Sequence, residues 1–122
     1  MRVLVVDDEP IVLKSCRVVL EAEDWEVVCA SSVAQALSFL EDITPDLLLI
    51  DVKMPVHDGM YLMRRVREKR PEIPIIVMSG YATAETIKEA EGLGAAIFLP
   101  KPFTPDELAD TLRSVAKSKS QD

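Results

Sequence analysis

The 122-residue chain has 48% hydrophobic and 29% charged residues, which suits one domain with a buried core and excludes a disordered tail or a coiled coil. Fourteen Lys and Arg against twenty-one Asp and Glu leave a formal charge of −7, an imbalance that argues against nucleic acid or an anionic membrane as the main partner. Magnesium ions and basic protein faces fit that charge better.

The chain opens with four apolar residues, 3–6, before Asp7 and Asp8, too few for the apolar region of a signal peptide. No run approaches membrane-spanning length, so a cytoplasmic protein without a membrane partner is expected. Apolar, largely β-branched runs recur at residues 3–6, 27–30, 47–50, 75–78 and 96–99, and a stretch of helical period follows each. Such nearly continuous runs suit parallel strands covered on both faces, and five strand-helix units predict a doubly wound α/β sheet. Val12, Cys16, Val19 and Leu20 form the apolar stripe of the first helix, with Cys16 and Cys29 expected to be reduced residues of the core. Val33, Ala36, Leu37 and Leu40 do the same in the second, and Leu62, Met63 and Val66 in the third.

Arg64, Arg65, Arg67, Lys69 and Arg70 crowd the end of the third helix, where cations complement the helix dipole, and read as a solvated face. The fourth helix has only a thin stripe, Ala84, Ile87 and Ala90, and is the element expected to move. The fifth starts at Thr104-Pro105-Asp106-Glu107, a capping box with proline at the first helical position. Residues 1–117 are expected to form the domain, and residues 118–122, which lack periodicity, a frayed tail.

In an open parallel sheet, ligands bind beyond the carboxyl ends of the strands. Those ends are polar here: Asp7 and Asp8 after the first strand, then Glu9; Asp51 after the third; Ser79 after the fourth; Lys101 after the fifth. Clustered carboxylates repel unless a cation joins them, and hard oxygen ligands suit Mg²⁺. Zinc is disfavoured, because His57 is the only imidazole and reads as a loop residue. A carboxylate surrounded by a metal, a lysine and a hydroxyl suits phosphoryl transfer, with Asp51 as the nucleophile.

Asp7-Asp8, Asp51-Val52-Lys53-Met54-Pro55 with Asp58-Gly59, Ser79-Gly80 and Lys101-Pro102-Phe103 together resemble the signature of the response-regulator receiver domain, over about residues 2–116. The resemblance implies a flavodoxin-like sheet of order 2-1-3-4-5 with five helices. It implies direct Mg²⁺ binding by Asp8, Asp51 and the Lys53 backbone carbonyl, with Asp7 acting through a water. It makes Asp51 the phosphoacceptor for a sensor histidine kinase or phosphotransfer protein, in a domain that catalyses only its own phosphorylation and dephosphorylation. Lys101 and Ser79 would bind the phosphoryl oxygens, Phe98 would swing inward with Ser79 on activation, and the Lys101-Pro102 bond would be cis. The output surface would be the fourth helix, fifth strand and fifth helix, which could also form a homodimer, with no direct contact to nucleic acid. Lys53 and Tyr81 occupy positions that in the family flank the path of attacking water, and they are expected to lengthen the phosphoryl lifetime. A phosphatase with an aspartyl-phosphate intermediate is the competing reading, disfavoured because Asp7 and Asp8 are adjacent and no substrate-capping insertion is visible.

Overall fold

The computed structural model describes residues 1–120, with the side chains of 118–120 excepted. Strands and helices alternate without exception: β1 (Arg2–Val6), α1 (Pro10–Ala22), β2 (Glu26–Ala30), α2 (Val33–Asp42), β3 (Leu47–Asp51), α3 (Gly59–Lys69), β4 (Ile75–Ser79), α4 (Ala84–Gly92), β5 (Ile97–Pro100) and α5 (Pro105–Ser120). All strand pairs are parallel and the order is β2-β1-β3-β4-β5, the expected doubly wound sheet.

The apolar runs form strands because both of their faces are covered. Alternate residues of one run serve different cores. Leu4, Val6, Leu48, Ile50, Ile75 and Val77 pack with Val33 and Ala36 of α2, with Met60, Leu62, Met63 and Val66 of α3, and with Ala90 of α4. Val3, Val5, Leu47, Leu49, Ile76 and Met78 pack on the other face with Cys16 and Leu20 of α1 and Leu108, Leu112 and Val115 of α5. Burying side chains of this size contributes about 1.5–3 kcal/mol each, so β1, β3 and β4 form a rigid platform for whatever stands on their ends. Cys16 is fully buried, Cys29 half-buried, and both are free thiols; burial pushes the Cys16 thiol up to about 12, aided by the nearby Asp7 charge, so it stays protonated and inert.

Several local expectations hold in detail. Thr104 Oγ1 accepts from the Glu107 N–H at 3.1 Å while the Thr104 N–H donates to Glu107 Oε1 at 3.0 Å, the reciprocal capping box that starts α5. The thin stripe of α4 leaves Ala90 as its buried residue.

Others need correction. β5 is displaced by one residue from the apolar run, because Ala96 only donates to the Ile75 carbonyl and strand pairing starts with Ile97 opposite Ile76. α5 continues to Ser120, so the tail expected from residue 118 begins inside a helix; residues 121–122 lie outside the described residues. The cations of α3 are not simply a solvated face. Arg64 pairs with Glu89 of α4 at 3.0 Å, Arg70 donates to Thr44 Oγ1 at 2.8 Å, and Arg67 is bonded to backbone carbonyls of two loops. Helical spacing places these cations at the end of α3, but only the tertiary fold brings their partners to them.

Candidate phosphoacceptor site

Parallel register sets the polar strand ends side by side. Val6 lies opposite Ile50, Asp51 opposite Met78, and Ser79 opposite Pro100, so the residues at or just beyond these positions share one rim. Asp7 continues from β1 and is held there by its N–H bond to the Ala30 carbonyl at 3.1 Å. Lys101 follows β5 and is held by its N–H bond to the Ser79 carbonyl at 2.8 Å. The Lys101-Pro102 peptide bond is cis, as expected.

The rim holds more negative charge than its cation can balance. Asp7 is 0% exposed, Asp51 3% and Ser79 0%, whereas Asp8 is exposed. Lys101 Nζ donates to Asp7 Oδ2 at 2.7 Å and lies 3.5 Å from Asp51 Oδ1 and 3.7 Å from Glu9 Oε1. The second oxygen of Asp7 accepts from the Glu9 N–H at 2.9 Å. Burial, reinforced by the Asp7 charge, pushes the Asp51 carboxyl up to about 6, although Lys101 and the Lys53 N–H oppose the shift. Burial by itself would lower the Lys101 ammonium, but its hydrogen bond to Asp7 and the charges of Asp51, Asp7 and Glu9 raise it on balance. The lysine therefore stays charged.

Asp7, Asp8 and Asp51 can each present a carboxylate oxygen within 4.8 Å of the others. Three hard oxygen donors, two of them buried around a single ammonium, fit a small divalent cation that retains several waters. All three of these donors, together with Lys101, follow apolar strand runs and are legible in the sequence. Glu9, the N-cap residue of α1, comes within 3.7 Å of Lys101 Nζ. That contact leaves no mark in the sequence.

The loops around the rim are built by close contacts. Gly59 opens α3 directly under Asp51, where a Cβ would overlap the Asp51 carbonyl oxygen, so only glycine fits. Asp58 caps the same helix by accepting from the Tyr61 N–H at 3.0 Å. Between them and Asp51, Val56 is 97% exposed at φ 69°, a strained conformation for a β-branched residue. His57 is exposed and stacks on Tyr61 with ring centroids 4.0 Å apart.

On the opposite side, Ser79 Oγ accepts from the Tyr81 N–H at 2.9 Å, and Lys53 Nζ sits 4.8 Å from the centre of the Tyr81 ring. The two residues expected to act on lifetime therefore meet in a cation–π contact that joins the β3–α3 and β4–α4 loops. Phe98 is half-buried against the core beneath α3 and α4. Beside Lys101, between α1 and α5, lies an apolar cleft of about 540 Å³, whose walls include Val12, Val19, Phe103 and Leu108.

This arrangement matches a known architecture. The family model of the response regulator receiver domain matches residues 3–113. The sporulation initiation phosphotransferase F of Bacillus subtilis (strain 168) is 31% identical over 119 residues, covering 98% of this chain and 96% of that protein. The regulatory protein AtoC of Escherichia coli (strain K12) is 37% identical over 107 residues, 88% of this chain but 23% of that protein, so this chain spans less than a quarter of AtoC's length. The solved structure of a CheY-like response regulator receiver domain protein from Methanospirillum hungatei superposes with a TM-score of 0.94 at 29% identity, covering 98% of this chain and 96% of the other. The chain belongs to the response regulator receiver domain family of two-component signalling.

Proposed function

We propose that Asp51 accepts a phosphoryl group from a sensor histidine kinase or a histidine phosphotransfer protein in a Mg²⁺-dependent transfer that the domain itself catalyses. The observation that carries this reading is the buried Asp51 carboxylate at the end of β3, with Lys101 Nζ 3.5 Å from its Oδ1 and the Asp7 and Asp8 carboxylates alongside. Asp8, Asp51 and the Lys53 backbone carbonyl would hold Mg²⁺, with Asp7 acting through a water. The ion would neutralise oxygens of the phosphoryl group during transfer.

The chain's own residues do the rest. An Asp51 oxygen attacks phosphorus, the P–N bond of the donor phosphohistidine breaks, and the departing imidazole nitrogen takes up a proton. Lys101 already stands within reach of an oxygen attached at Asp51, so little reorganisation is needed to balance the added charge. Ser79, fixed at the end of β4 with its Oγ accepting from the Tyr81 N–H, turns its own hydroxyl proton toward the phosphoryl group. The cleft beside Lys101, lined by Val12, Phe103 and by Ile11 of α1, which is 71% exposed, offers the phosphodonor protein an apolar surface next to the acceptor.

Drawing Ser79 inward opens space for Phe98 and displaces α4, changing the surface of α4, β5 and α5 that passes the signal on, through a homodimer or an effector. The switch is a population shift between two arrangements. No helix among the described residues is long and apolar enough to cross a membrane, and the proposed setting is the cytoplasm.

Acetyl phosphate with Mg²⁺ supplies a protein-free test. Mass spectrometry should map one phosphoryl group to Asp51 in the wild type and none in Asp51→Asn. A label on Asp7 or Asp8, or full labelling of the Asn variant, would overturn the assignment.

A further inference from the structure

Arg67 stands outside the phosphoacceptor rim, yet it is bonded more densely than any rim residue. Its Nε donates to the Leu93 carbonyl at 3.3 Å and its Nη2 to the Gly94 carbonyl at 2.9 Å, both at the end of α4. Its Nη1 donates to the Pro71 carbonyl at 3.1 Å and the Ile73 carbonyl at 2.7 Å, in the loop that leads from α3 into β4. A planar guanidinium can serve these four carbonyls together, and a lysine ammonium on a flexible stem cannot. Gly94 completes the fit with φ 88°, a conformation that favours glycine, and a Cβ there would lie 3.0 Å from Arg67 Nε.

The two ends of α4 are therefore held very differently. At the C-terminal end, Ala90 is buried, Glu89 pairs with Arg64 at 3.0 Å, and the N–H groups of Leu93, Gly94 and Ala95 return to carbonyls of the last turn. At the N-terminal end, residues 81–85 are all exposed, and Thr83 supplies a cap to the Thr86 N–H at 3.2 Å. The same exposed end is tied through the Tyr81 N–H to Ser79.

We propose that Arg67 is the fulcrum of the switch: it holds the C-terminal end of α4 and the approach to β5 against α3, so that displacement of the β4–α4 loop becomes a swing of α4 about Gly94. The trigger rests on the phosphoacceptor function proposed above, whereas the anchor rests on the four Arg67 hydrogen bonds themselves. Leu93 and Ala95, on either side of Gly94, pack against the same core cluster as Ala90 and Val66. Arg67 is a positioning residue, and it touches none of the reacting groups.

Amide hydrogen exchange on the full chain tests the anchor, and NMR shifts with Mg²⁺ and beryllofluoride, a phosphoryl mimic, test the pivot. In Arg67→Lys, exchange at residues 93–95 should rise by about tenfold or more while β1 and β3 stay protected. Gly94→Ala attacks the same contact from the opposite side and should give the same local pattern, which guards against a folding defect peculiar to one variant. Unchanged exchange at residues 93–95, or a rise spread evenly over the strands in both variants, would overturn the anchor. On adding beryllofluoride, wild-type shifts should fall from residues 83–87 toward 91–95, and this gradient should flatten in Arg67→Lys. Equal shifts at both ends of wild-type α4, or none at either, would overturn the fulcrum. Labelling of Asp51 by acetyl phosphate, measured in parallel, separates that failure from failure of the phosphoacceptor function.

Discussion

The two rims of the sheet handle charge in opposite ways. At the amino-terminal rim carboxylates find direct partners: Glu26 meets the Arg2 guanidinium at 3.0 Å, Asp46 accepts the Arg2 N–H at 2.8 Å, and Glu23 meets Arg113. At the carboxyl-terminal rim one ammonium, Lys101, stands among Asp7, Asp51 and Glu9, with Asp8 close by. Paired surface charges hold an edge at little energetic gain, whereas a buried surplus of one sign destabilises the protein unless a cation or a reaction uses it. The difference separates the end of the sheet that maintains the fold from the end at which phosphoryl transfer is proposed.

Substitutions that disturb each rim in turn should expose this contrast, and the largest effect is expected at Gly59. Gly59→Ala forces a Cβ into the Asp51 carbonyl and should cost about 2–4 kcal/mol in urea unfolding, with loss of phosphoryl labelling. Glu26→Ala at the other rim removes an exposed ion pair and should cost less than about 1 kcal/mol, with labelling intact. Equal costs for the two would erase the distinction between the rims.

Next comes the pH dependence of the metal-free protein. The folded state raises Asp51 from 3.8 to about 6, so it favours the protonated form. That contribution to stability is complete below pH 3.8 and is lost as pH rises through about 6. Asp51→Asn cannot ionise, and in the presence of a chelator it should be more stable than wild type at neutral pH by roughly 3 kcal/mol. The gain should disappear near pH 3.8, and it should shrink at neutral pH when Mg²⁺ is added back. A gain independent of pH would mean that packing, not charge, separates the two proteins.

The smallest effect concerns lifetime. Lys53 and Tyr81, joined at 4.8 Å, should obstruct in-line attack by water on phosphorylated Asp51. After removal of the donor, Lys53→Asn/Tyr81→Glu should lose its label roughly tenfold faster than wild type. Decay at the same rate would show that the contact does not shield the phosphoryl group.

Much of this was legible in the sequence, for a physical reason. Apolar runs covered on both faces must be parallel strands, and a doubly wound sheet gathers the residues that end them, so Asp7, Asp51, Ser79 and Lys101 could be placed on one rim before any coordinates. The Thr104–Glu107 box was readable because both partners lie within one turn of helix. Long-range contacts that follow no period were not readable. Arg67 reads as one more cation near the end of a helix until the turns after α3 and α4 bring carbonyls to it. Glu9 and the Lys53–Tyr81 contact were hidden in the same way, because loop approach rather than spacing brings each pair together.

The surplus of carboxylates at the carboxyl-terminal rim is tested most directly by calorimetric titration of Mg²⁺ into wild type, Asp8→Ala and Glu26→Ala. Asp8 is the exposed member of the acidic cluster and can be removed without disturbing a core contact, and Glu26 belongs to the opposite rim. Saturable binding at one weak site is expected in wild type and Glu26→Ala, with loss of saturation in Asp8→Ala. Unchanged affinity in Asp8→Ala would place the metal elsewhere and contradict the assignment of this rim as the reactive one.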